Sequence, residues 1–477
     1  MKNVALHNLG CKVNSYEMEV MQQKLQEKEY GIVPFDSKAD IYIINTCTVT
    51  NIADRKSRQM LHRAKQLNPE AVVVAVGCYV QTGQKTIEKD ESIDLAIGNN
   101  RKKDIVEILE EFLNRRERGY NLQQAESEEE QVHRNSKTLD DTTVIDINHT
   151  YEYEEMTLKQ TAEHTRAYIK IQDGCNQFCS YCAIPLARGR VRSRHAEDIL
   201  KEIRGMVQAG YKEIVLTGIH ISSYGIDFDE EEWKRGKSVE THRTDDRRDY
   251  SGGSKLINLV EMIHDIPGLE RIRLGSLEPR IVTAETADRL AALSKVCPHF
   301  HLSLQSGCDA TLKRMNRHYT AGEYFSGVEQ LRRAFRHPAI TTDVIVGFPG
   351  ETEEEFAETK NFLEKVCFYE MHIFKYSKRE GTVAANMPGQ VPEQIKTERS
   401  NELFAMEKRQ SFEFRKTYIG QEAEVLLEES VEIDGELWRV GHTKDYVKVA
   451  VKAKEAPPAN TIVKVPVRGF LTEEILV

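Results

Sequence analysis

The run CNQFCSYC places three cysteines, Cys175, Cys179 and Cys182, on one short loop. The segment before it, residues 167–172, has a strand-like sequence. Three thiolates fall short of the four protein ligands of a structural zinc site, and an odd number does not pair into disulfides. They suit a 4Fe–4S cluster that keeps one iron open to a substrate or cofactor. A zinc site completed by a distant His or Cys is the alternative.

Strand-like and helix-like segments alternate from this point to residue 376. The predicted strands are 167–172, 213–217, 271–275, 300–304, 342–346 and 372–376. The predicted helices are 195–209, 255–266, 284–295, 321–335 and 353–366. Repeated βα units predict a parallel barrel whose site lies at the C-terminal ends of the strands. Six units instead of eight predict a partial (β/α)6 barrel over residues 164–417, open at one side, with the cysteine loop after its first strand.

Residues 1–113 show the same alternation, so we expect an N-terminal parallel α/β domain. Each of its predicted strands, 4–6, 41–44 and 71–76, is followed by a cysteine: Cys11, Cys47 and Cys78. Loops at the carboxyl ends of parallel strands line one crevice. The sequence therefore predicts that these three cysteines converge and form a second cluster site.

Three other segments differ in composition. Residues 114–163 are mostly polar and predict a charged linker with one short strand at 143–147. Residues 226–252 are a charged insertion after the second barrel strand. Short alternating segments between turns predict a small antiparallel β-barrel over residues 418–477. Acidic residues outnumber Lys and Arg in this tail, so its sequence leaves open whether it binds RNA.

Charge and hydropathy narrow the class of partner. The chain has 477 residues and a formal net charge of −10, so any contact with RNA must come from local basic patches. No signal-like or membrane-spanning apolar run occurs in the sequence, which predicts a cytoplasmic protein with no membrane partner. Nine cysteines in that compartment indicate metal or redox chemistry.

With both cysteine sets in view, the chain resembles the radical S-adenosylmethionine methylthiotransferases along nearly its whole length. The cysteine triplet alone indicates the superfamily, and Cys11, Cys47 and Cys78 add the family. The motifs that carry the resemblance are HNLGCKVNSYE (7–17), NTCTVTNIADRKSRQ (45–59), VGCY (76–79), IGNNRK (97–102), GCNQFCSYCAIPLARGRVRSR (174–194), LTGIHISSYG (216–225), GSLEP (275–279), FHLSLQSGCD (300–309) and DVIVGFPGETEEEF (343–356).

The resemblance implies S-adenosylmethionine as cofactor, a catalytic 4Fe–4S cluster on Cys175, Cys179 and Cys182, and an auxiliary 4Fe–4S cluster on the N-terminal three cysteines. It also implies that the C-terminal barrel is TRAM-like. The start HNLGCK and the run RGRVRSR are most similar to members that convert N6-threonylcarbamoyladenosine at tRNA position 37 to its 2-methylthio form. The implied partners are a tRNA anticodon loop, a sulfur donor, and an electron donor of flavodoxin or ferredoxin type.

The motif pattern also suggests residues that line the S-adenosylmethionine pocket at the ends of the barrel strands. These are Gly218, Ser276, Glu278, Gln305, Ser306 and Gly347. Glycine would let the backbone approach the adenine closely. The alternative for GFPGE is a tight turn that opens a helix, with the glutamates 353–355 favouring the helix N-terminus.

Four arginines recur at every second position behind the cysteine triplet: Arg188, Arg190, Arg192 and Arg194. In an extended segment they would share one face. We expect this face to contact RNA phosphates, which supply affinity without sequence choice. The alternative is a solvated basic run paired with nearby acids.

Two rival functions remain open at this stage. The first is a methylthiotransferase that acts on another tRNA adenosine or on a ribosomal protein side chain. The second is a non-catalytic iron–sulfur protein that binds RNA or senses redox state. The predicted barrel and its open-iron triplet argue against the second, because a structural cluster needs no open iron.

Overall fold

A computed structural model of the chain describes residues 2–123, 143–160, 165–228 and 252–477. The N-terminal strands are β1 Asn3–Asn8, β2 Gly31–Val33, β3 Ile41–Thr46, β4 Val72–Gly77 and β5 Leu95–Ile97. They form a parallel sheet in the order β2-β1-β3-β4-β5. The helices of this domain are Lys12–Glu27, Asn51–Leu67, Cys78–Thr82, Gln84–Ile87 and Ile105–Gln123. The predicted parallel α/β arrangement is confirmed.

Burial on both faces explains why this sheet is parallel and rich in Val and Ile. Every residue of β3 and β4 is buried. Ile43 packs into the core that contains Tyr16 of helix Lys12–Glu27, whereas Ile44 packs into the core that contains Leu61 of helix Asn51–Leu67. Continuous apolar strands are typical of parallel sheets that are covered on both sides.

The central region contains two further sheets. Its strands are β6 Ala167–Asp173, β7 Arg192–Ser193, β8 Glu213–Gly218, β9 Arg271–Leu274, β10 His299–His301, β11 Ala339–Val346 and β12 Glu370–Lys375. The sheet orders are β7-β6-β8-β9 and β10-β11-β12, and every pair is parallel except the short antiparallel β6–β7 pair. Isolated parallel bridges, Ile272–Val296 and Leu277–Leu302, connect the two sheets. The six predicted strands are present, and the predicted partial barrel, open at one side, stays a prediction.

The helices of the central region begin where their sequences provide caps. They are Ile184–Arg188, Ala196–Gln208, Gly252–His264, Ala284–Ala291, Asp309–Arg314, Ala321–Ala334, Glu353–Val366 and Glu393–Lys416. Thr320 and Thr352 each accept a hydrogen bond from the backbone N–H three residues later, and Glu323 and Glu355 complete reciprocal capping boxes. Such boxes satisfy N–H groups that the first turn of a helix leaves unpaired. Helix Glu393–Lys416 was not predicted.

Part of the predicted linker is ordered and packed. Helix Ile105–Gln123 runs past the expected boundary at residue 113. Residues 143–147 form no strand, because Thr143 O accepts from the Gly98 N–H (2.8 Å) and Ile145 O accepts from the Gln81 amide (2.8 Å). Buried apolar side chains of this segment are Val144, Ile147, Met156 and Leu158. The rest of the linker (124–142 and 161–164) and most of the insertion (229–251) lie outside the described residues.

The C-terminal strands are β13 Glu422–Ile433, β14 Glu436–Thr443, β15 Lys448–Lys452, β16 Ile462–Pro466 and β17 Ile475–Leu476. They form one sheet in the order β16-β13-β14-β15-β17, antiparallel except for the β15–β17 pair. The predicted antiparallel sheet is confirmed, and its TRAM-like barrel form stays a prediction. Lys448 and Lys452 of this sheet pair with Glu474 and Glu436, at 3.6 and 2.7 Å.

A buried carboxylate joins the C-terminal sheet to the central region. Glu213 in β8 accepts a hydrogen bond from Arg273 Nε at 2.8 Å, and Arg271 Nη1 lies 3.7 Å away. The same two arginines donate to the carbonyl oxygens of Lys444 and His442, at 2.9 and 3.0 Å. Burial alone would raise the pKa of Glu213, but Arg273 and its neighbouring arginines outweigh burial and lower that pKa.

We predict that Glu213→Gln lowers the free energy of unfolding by about 3–5 kcal/mol, because removing one partner leaves buried cations uncompensated. Urea denaturation followed by circular dichroism measures the change. Glu285→Gln is the matched control, since its carboxylate is 4.0 Å from Arg289 and 79% exposed. An equal loss of stability in both variants would contradict the role of Glu213 in joining the C-terminal sheet to the central region.

The stabilisation should also depend on pH in one direction. The folded-state pKa of Glu213 is below its ordinary value of 4.5. The contribution of Glu213 to the free energy of unfolding is therefore complete above its pKa in the unfolded chain. This contribution is lost as the pH falls through its pKa in the folded protein. The difference in stability between the wild type and Glu213→Gln should shrink in that acidic range.

Candidate functional site

The cysteine triplet lies on a tight loop after β6. Gly174 precedes it with φ +71°, and a Cβ at this position would lie 1.8 Å from the Arg190 carbonyl oxygen. Only glycine permits this approach of two backbone segments. The Cys175 N–H donates to Gly189 O at 3.0 Å, and the Gln177 N–H points at Cys175 Sγ at 3.5 Å. Burial, with a smaller contribution from the neighbouring Cys179, raises the pKa of Cys182 to about 12.

A buried arginine that sequence reasoning missed contacts this triplet. Arg317 Nη1 lies 3.2 Å from Cys179 Sγ, and Arg317 Nη2 donates to Glu278 Oε2 at 3.2 Å. The arginine thus joins a cluster cysteine to one of the predicted pocket residues. No motif spacing connects Arg317 to the triplet, since it follows the Asp309–Arg314 helix more than a hundred residues later.

The N-terminal cysteines follow three strands that are neighbours in the sheet, β1, β3 and β4. The structure brings the loops that carry Cys11 and Cys47 together. Gly10, which precedes Cys11 and has φ +112°, lies so close to Cys47 that a Cβ on it would be 3.2 Å from Cys47 Sγ. Burial, with smaller contributions from the nearby Cys78 and Cys11, raises the pKa of Cys47 to about 11. Two donors face Cys78 Sγ, Arg188 Nε at 3.4 Å and Asn99 Nδ2 at 3.5 Å.

The spacing of these thiols fits a cluster better than a zinc ion. With Zn–S bonds of about 2.3 Å, tetrahedral geometry puts sulfur atoms about 3.8 Å apart. Among the described residues, one group of three or more His, Cys, Asp or Glu has ligand atoms that all lie within 4.8 Å of one another. This group contains no cysteine; it consists of His301, Asp343 and His372. Neither cysteine triad is that compact. Three thiols with N–H donors aimed at sulfur are the surroundings of an iron–sulfur cluster.

The structure corrects the prediction for the arginine run. Residues 184–188 are helical, so the four arginines do not share an extended face. Arg188, Arg192 and Arg194 are fully buried and pair with carboxylates of the protein: Arg188 with Glu17 and Asp173, Arg192 with Asp173, and Arg194 with Glu202. They are unavailable to RNA phosphates in this conformation. Arg190 alone is partly exposed, with its guanidinium 4.4 Å from the ring centroid of Phe178.

Two of the buried arginines, Arg188 and Arg192, belong to an ionic network between the two cysteine triads. Glu17 of helix Lys12–Glu27 accepts from Lys170 Nζ at 2.7 Å and from Arg188 Nη1 at 2.6 Å. Lys102 also donates to Glu17. Burial would raise the pKa of Glu17, but Arg188 and the two lysines hold that pKa well below its ordinary value. The network therefore keeps its charges in the folded protein.

The six predicted pocket residues do not all face one space. Gly218 ends β8, and Ser276 is exposed with its Oγ 2.8 Å from Ser303 Oγ. Glu278 is buried against Arg317, and the Gln305 N–H donates to Asp343 O at 2.8 Å. These four positions lie at or beyond strand ends, as predicted.

The other two pocket residues are differently placed. Ser306 is fully buried, and its Oγ lies 3.1 Å from Thr359 Oγ1 of helix Glu353–Val366. The expectation that Ser306 lines the pocket is therefore wrong, because its side chain packs against the helix behind the strand. Gly347 (φ +69°) is covered by Lys396, whose Cγ would be 2.3 Å from a Cβ there. Its turn leads into helix Glu353–Val366, as the alternative interpretation of GFPGE expected.

Two regions of the chain match known protein families. Residues 3–98 match the family described as Uncharacterized protein family UPF0004, and residues 169–363 match the Radical SAM superfamily. Threonylcarbamoyladenosine tRNA methylthiotransferase MtaB of Bacillus subtilis is 39% identical, over 95% of this chain and 91% of that protein. The protein of the same name from Aquifex aeolicus is 38% identical, over 89% and 92%. The chain belongs to the radical S-adenosylmethionine methylthiotransferase family.

More distant relatives place this methylthiotransferase within a wider group. The tRNA-2-methylthio-N(6)-dimethylallyladenosine synthase of Acetivibrio thermocellus is 33% identical, over 90% of this chain and 81% of that protein. The radical S-adenosylmethionine methyltransferase TsrM of Kitasatospora setae is 14% identical with a TM-score of 0.52, over 78% and 73%. The second likeness shows the fold alone.

Membership of the family implies S-adenosylmethionine and a 4Fe–4S cluster. The donor set at the triplet fits that cluster, since it consists of three cysteines with a cationic donor on one sulfur. In the described part of the methylthiotransferase, none of the helices is long and apolar enough to cross a membrane.

The contact between Arg317 and Cys179 generates a prediction about the cluster. Removing a buried positive charge beside a cluster sulfur disfavours the extra negative charge of the reduced state. We expect Arg317→Met to keep the iron of this site but to shift its reduction potential to a more negative value, measured by potentiometric titration with electron paramagnetic resonance. Arg289→Met, which breaks a pair with Glu261 between two helices, is the control. An unchanged potential in Arg317→Met would refute the role.

Proposed function

We propose that the protein is a tRNA methylthiotransferase that converts N6-threonylcarbamoyladenosine at position 37 to its 2-methylthio form, with two 4Fe–4S clusters. The observation that carries the proposal is the match, over nearly the whole chain, to relatives that bear this substrate in their names. Their 38–39% identity exceeds the 33% of the relative named for the dimethylallyl nucleoside. Because the bacterial relatives named above act on tRNA, we place the protein in the cytoplasm.

The chemistry needs two sets of thiolates. In our proposal Cys175, Cys179 and Cys182 hold the cluster that binds S-adenosylmethionine, and Cys11, Cys47 and Cys78 hold the auxiliary cluster beside which sulfur is donated. When bound, the first cluster supplies the electron that cleaves the sulfonium of S-adenosylmethionine to begin radical chemistry at the adenine. A flavodoxin- or ferredoxin-type donor would deliver that electron, and a separate sulfur donor would supply the sulfur.

The side chains of this protein orient and balance the charge of these groups. Arg317 holds Glu278 and one sulfur of the triplet at once, which supports a role in fixing the cysteine loop. Arg188 leaves the triplet loop, crosses to the N-terminal domain and donates toward Cys78. It also pairs with Glu17 and Asp173, so one charged residue contacts both cysteine sites, beside other contacts between the domains such as Lys170 with Glu17.

An RNA substrate has to reach the space between the two triads. Anticodon loops are single-stranded, and single-stranded bases can be splayed out for recognition. Among the four arginines of the run we propose RNA contact for Arg190 only, because the other three are buried and paired. Exposed apolar side chains close to both cysteine loops, Val49 and Ile52 after Cys47 and Leu186 after Cys182, offer contact area for a base.

The two-cluster proposal predicts an iron content. Anaerobically reconstituted wild type should bind about eight irons, as two four-iron clusters. Replacing Cys175, Cys179 and Cys182 with Ala should halve the iron and abolish cleavage of S-adenosylmethionine. Replacing Cys11, Cys47 and Cys78 should also halve it, yet spare cleavage and stop methylthiolation. A wild type that holds four irons would contradict the proposal.

The substrate is tested in cells. Transfer RNA from a strain that lacks this protein should lose 2-methylthio-N6-threonylcarbamoyladenosine and accumulate its precursor, as measured by mass spectrometry of digested nucleosides. Restoring the gene should return the modified nucleoside, and the cysteine-triplet variant should not. Loss of the 2-methylthio dimethylallyl nucleoside, or of a modified ribosomal side chain, would assign the enzyme to one of the rival substrates.

A further inference from the structure

A compact group of side chains of the types that bind metals lies on the sheet β10-β11-β12 and includes none of the cysteines of the two triads. In the parallel register His301 is opposite Thr341, and Asp343 is opposite His372. Opposite residues share a face of the sheet, as do residues two apart on one strand. The other face is apolar, since Phe300, Ile340 and Val344 belong to the hydrophobic core. The fold thus sets His301, Asp343 and His372 together on the polar face.

The three side chains approach to within the range of a single ion. One ligand atom from each lies within 4.8 Å of the others. His301 Nε2 is 3.2 Å from Asp343 Oδ2, and the rings of His301 and His372 have centroids 5.7 Å apart with an interplanar angle of 28°. Only small side-chain movements would separate this arrangement from coordination distances of 2.0–2.2 Å.

The second nitrogen of His301 is held in the way that metal-ligating histidines are held. His301 Nδ1 lies 3.0 Å from Thr341 Oγ1. In the tautomer protonated at Nδ1, this N–H donates to the hydroxyl and the Nε2 lone pair, directed toward Asp343, is available to a cation; in the other tautomer Nε2–H donates to Asp343. An outer hydrogen bond that selects the tautomer is a regular feature of histidine ligands.

The site is accessible, and its chemistry differs from that of the cysteine triads. The side chains of His301 and Asp343 are 16% and 29% exposed, and His372 is an exposed residue. Two imidazoles and one carboxylate suit zinc and related divalent transition metals, leaving positions open for water or substrate oxygen. Iron–sulfur clusters, in contrast, take thiolates.

The chain places this group near the catalytic triplet. Ser303, two residues after His301, accepts at its carbonyl oxygen from Tyr319 Oη at 2.6 Å and from Arg317 Nη2 at 3.4 Å. Arg317 in turn contacts Cys179. An ion held by His301 would therefore lie on the same strand segment that supports the cysteine loop.

We propose that His301, Asp343 and His372 form a binding site for one divalent transition-metal ion of the zinc class, with Thr341 orienting His301. The inference does not depend on the RNA substrate of the enzyme.

The test uses the holoenzyme, with its iron–sulfur clusters in place so that the cysteines are occupied. After mild chelation, Co²⁺ is titrated under anaerobic conditions and followed by visible absorption, with Zn²⁺ binding measured by calorimetry. We expect one Co²⁺ per chain, with d–d bands of nitrogen and oxygen ligands and no new thiolate charge-transfer band. Asp343→Asn and His372→Gln should each weaken binding at least about tenfold, and Thr341→Val by about 10–100-fold.

His62→Gln is the matched control. His62 Nε2 lies 3.1 Å from Asp90 Oδ2, the same pairing as in the proposed site, but that pair does not belong to a three-ligand group in the described part of the chain. Its substitution should leave Co²⁺ affinity unchanged. Circular dichroism and iron content establish that each variant is folded, and the exposed position of His372 makes that substitution the mildest. Absence of binding, a thiolate charge-transfer band, or equal affinity in wild type, Asp343→Asn and His372→Gln would overturn the proposal.

Discussion

The ionic contact between Glu17 and Arg188 is the interaction on which the arrangement of the two cysteine triads depends. Glu17 belongs to the first helix of the N-terminal domain, and Arg188 follows the catalytic triplet in the central region. Both side chains are buried, and Arg188 Nη1 lies 2.6 Å from Glu17 Oε1. A buried charge without a partner is strongly destabilising. This pair therefore stabilises the contact between the two domains, together with Lys170, which also pairs with Glu17.

The same network carries more positive than negative charge. Lys102, Lys170, Arg188 and Arg192 surround two carboxylates, Glu17 and Asp173. Burial would raise the pKa of Asp173, but Arg188 and Lys170 hold it below its ordinary value, so both acids stay charged. The surplus is directed at Cys78, to whose sulfur Arg188 Nε points. A surplus of positive charge stabilises a nearby thiolate, and pairing with Glu17 and Asp173 allows Arg188 and Arg192 to be buried.

A similar device links the C-terminal sheet to the centre, with the roles of acid and base reversed. There one carboxylate, Glu213, is shared by Arg271 and Arg273, which also bind carbonyl oxygens of the C-terminal sheet. Backbone carbonyls at the end of β14 offer fixed acceptors, so the arginines help to position the sheet without a second buried acid. Both domain junctions thus rely on paired buried charge instead of apolar contact alone.

The sequence by itself determined the elements and the cysteines. The runs of Val and Ile, the cysteines at strand ends and the spacing of the triplet predicted two parallel regions, an antiparallel tail and both triads, because periodicity and short-range spacing are local properties. Membership of the family was also evident from motifs near Cys11 and Cys175.

Only the tertiary structure decided which charged and polar side chains face these sites. Alternation predicted that Arg188, Arg192 and Arg194 would lie on one exposed face, but a helical turn and distant carboxylates buried them. The side chain of Ser306 packs against helix Glu353–Val366. Arg317, more than a hundred residues after Cys179 in the sequence, contacts its sulfur. The group of His301, Asp343 and His372 arises from the register of three strands. Contacts between residues far apart in the chain leave no periodic signal in it, so pairing of charge and convergence of ligands depend on the folded arrangement.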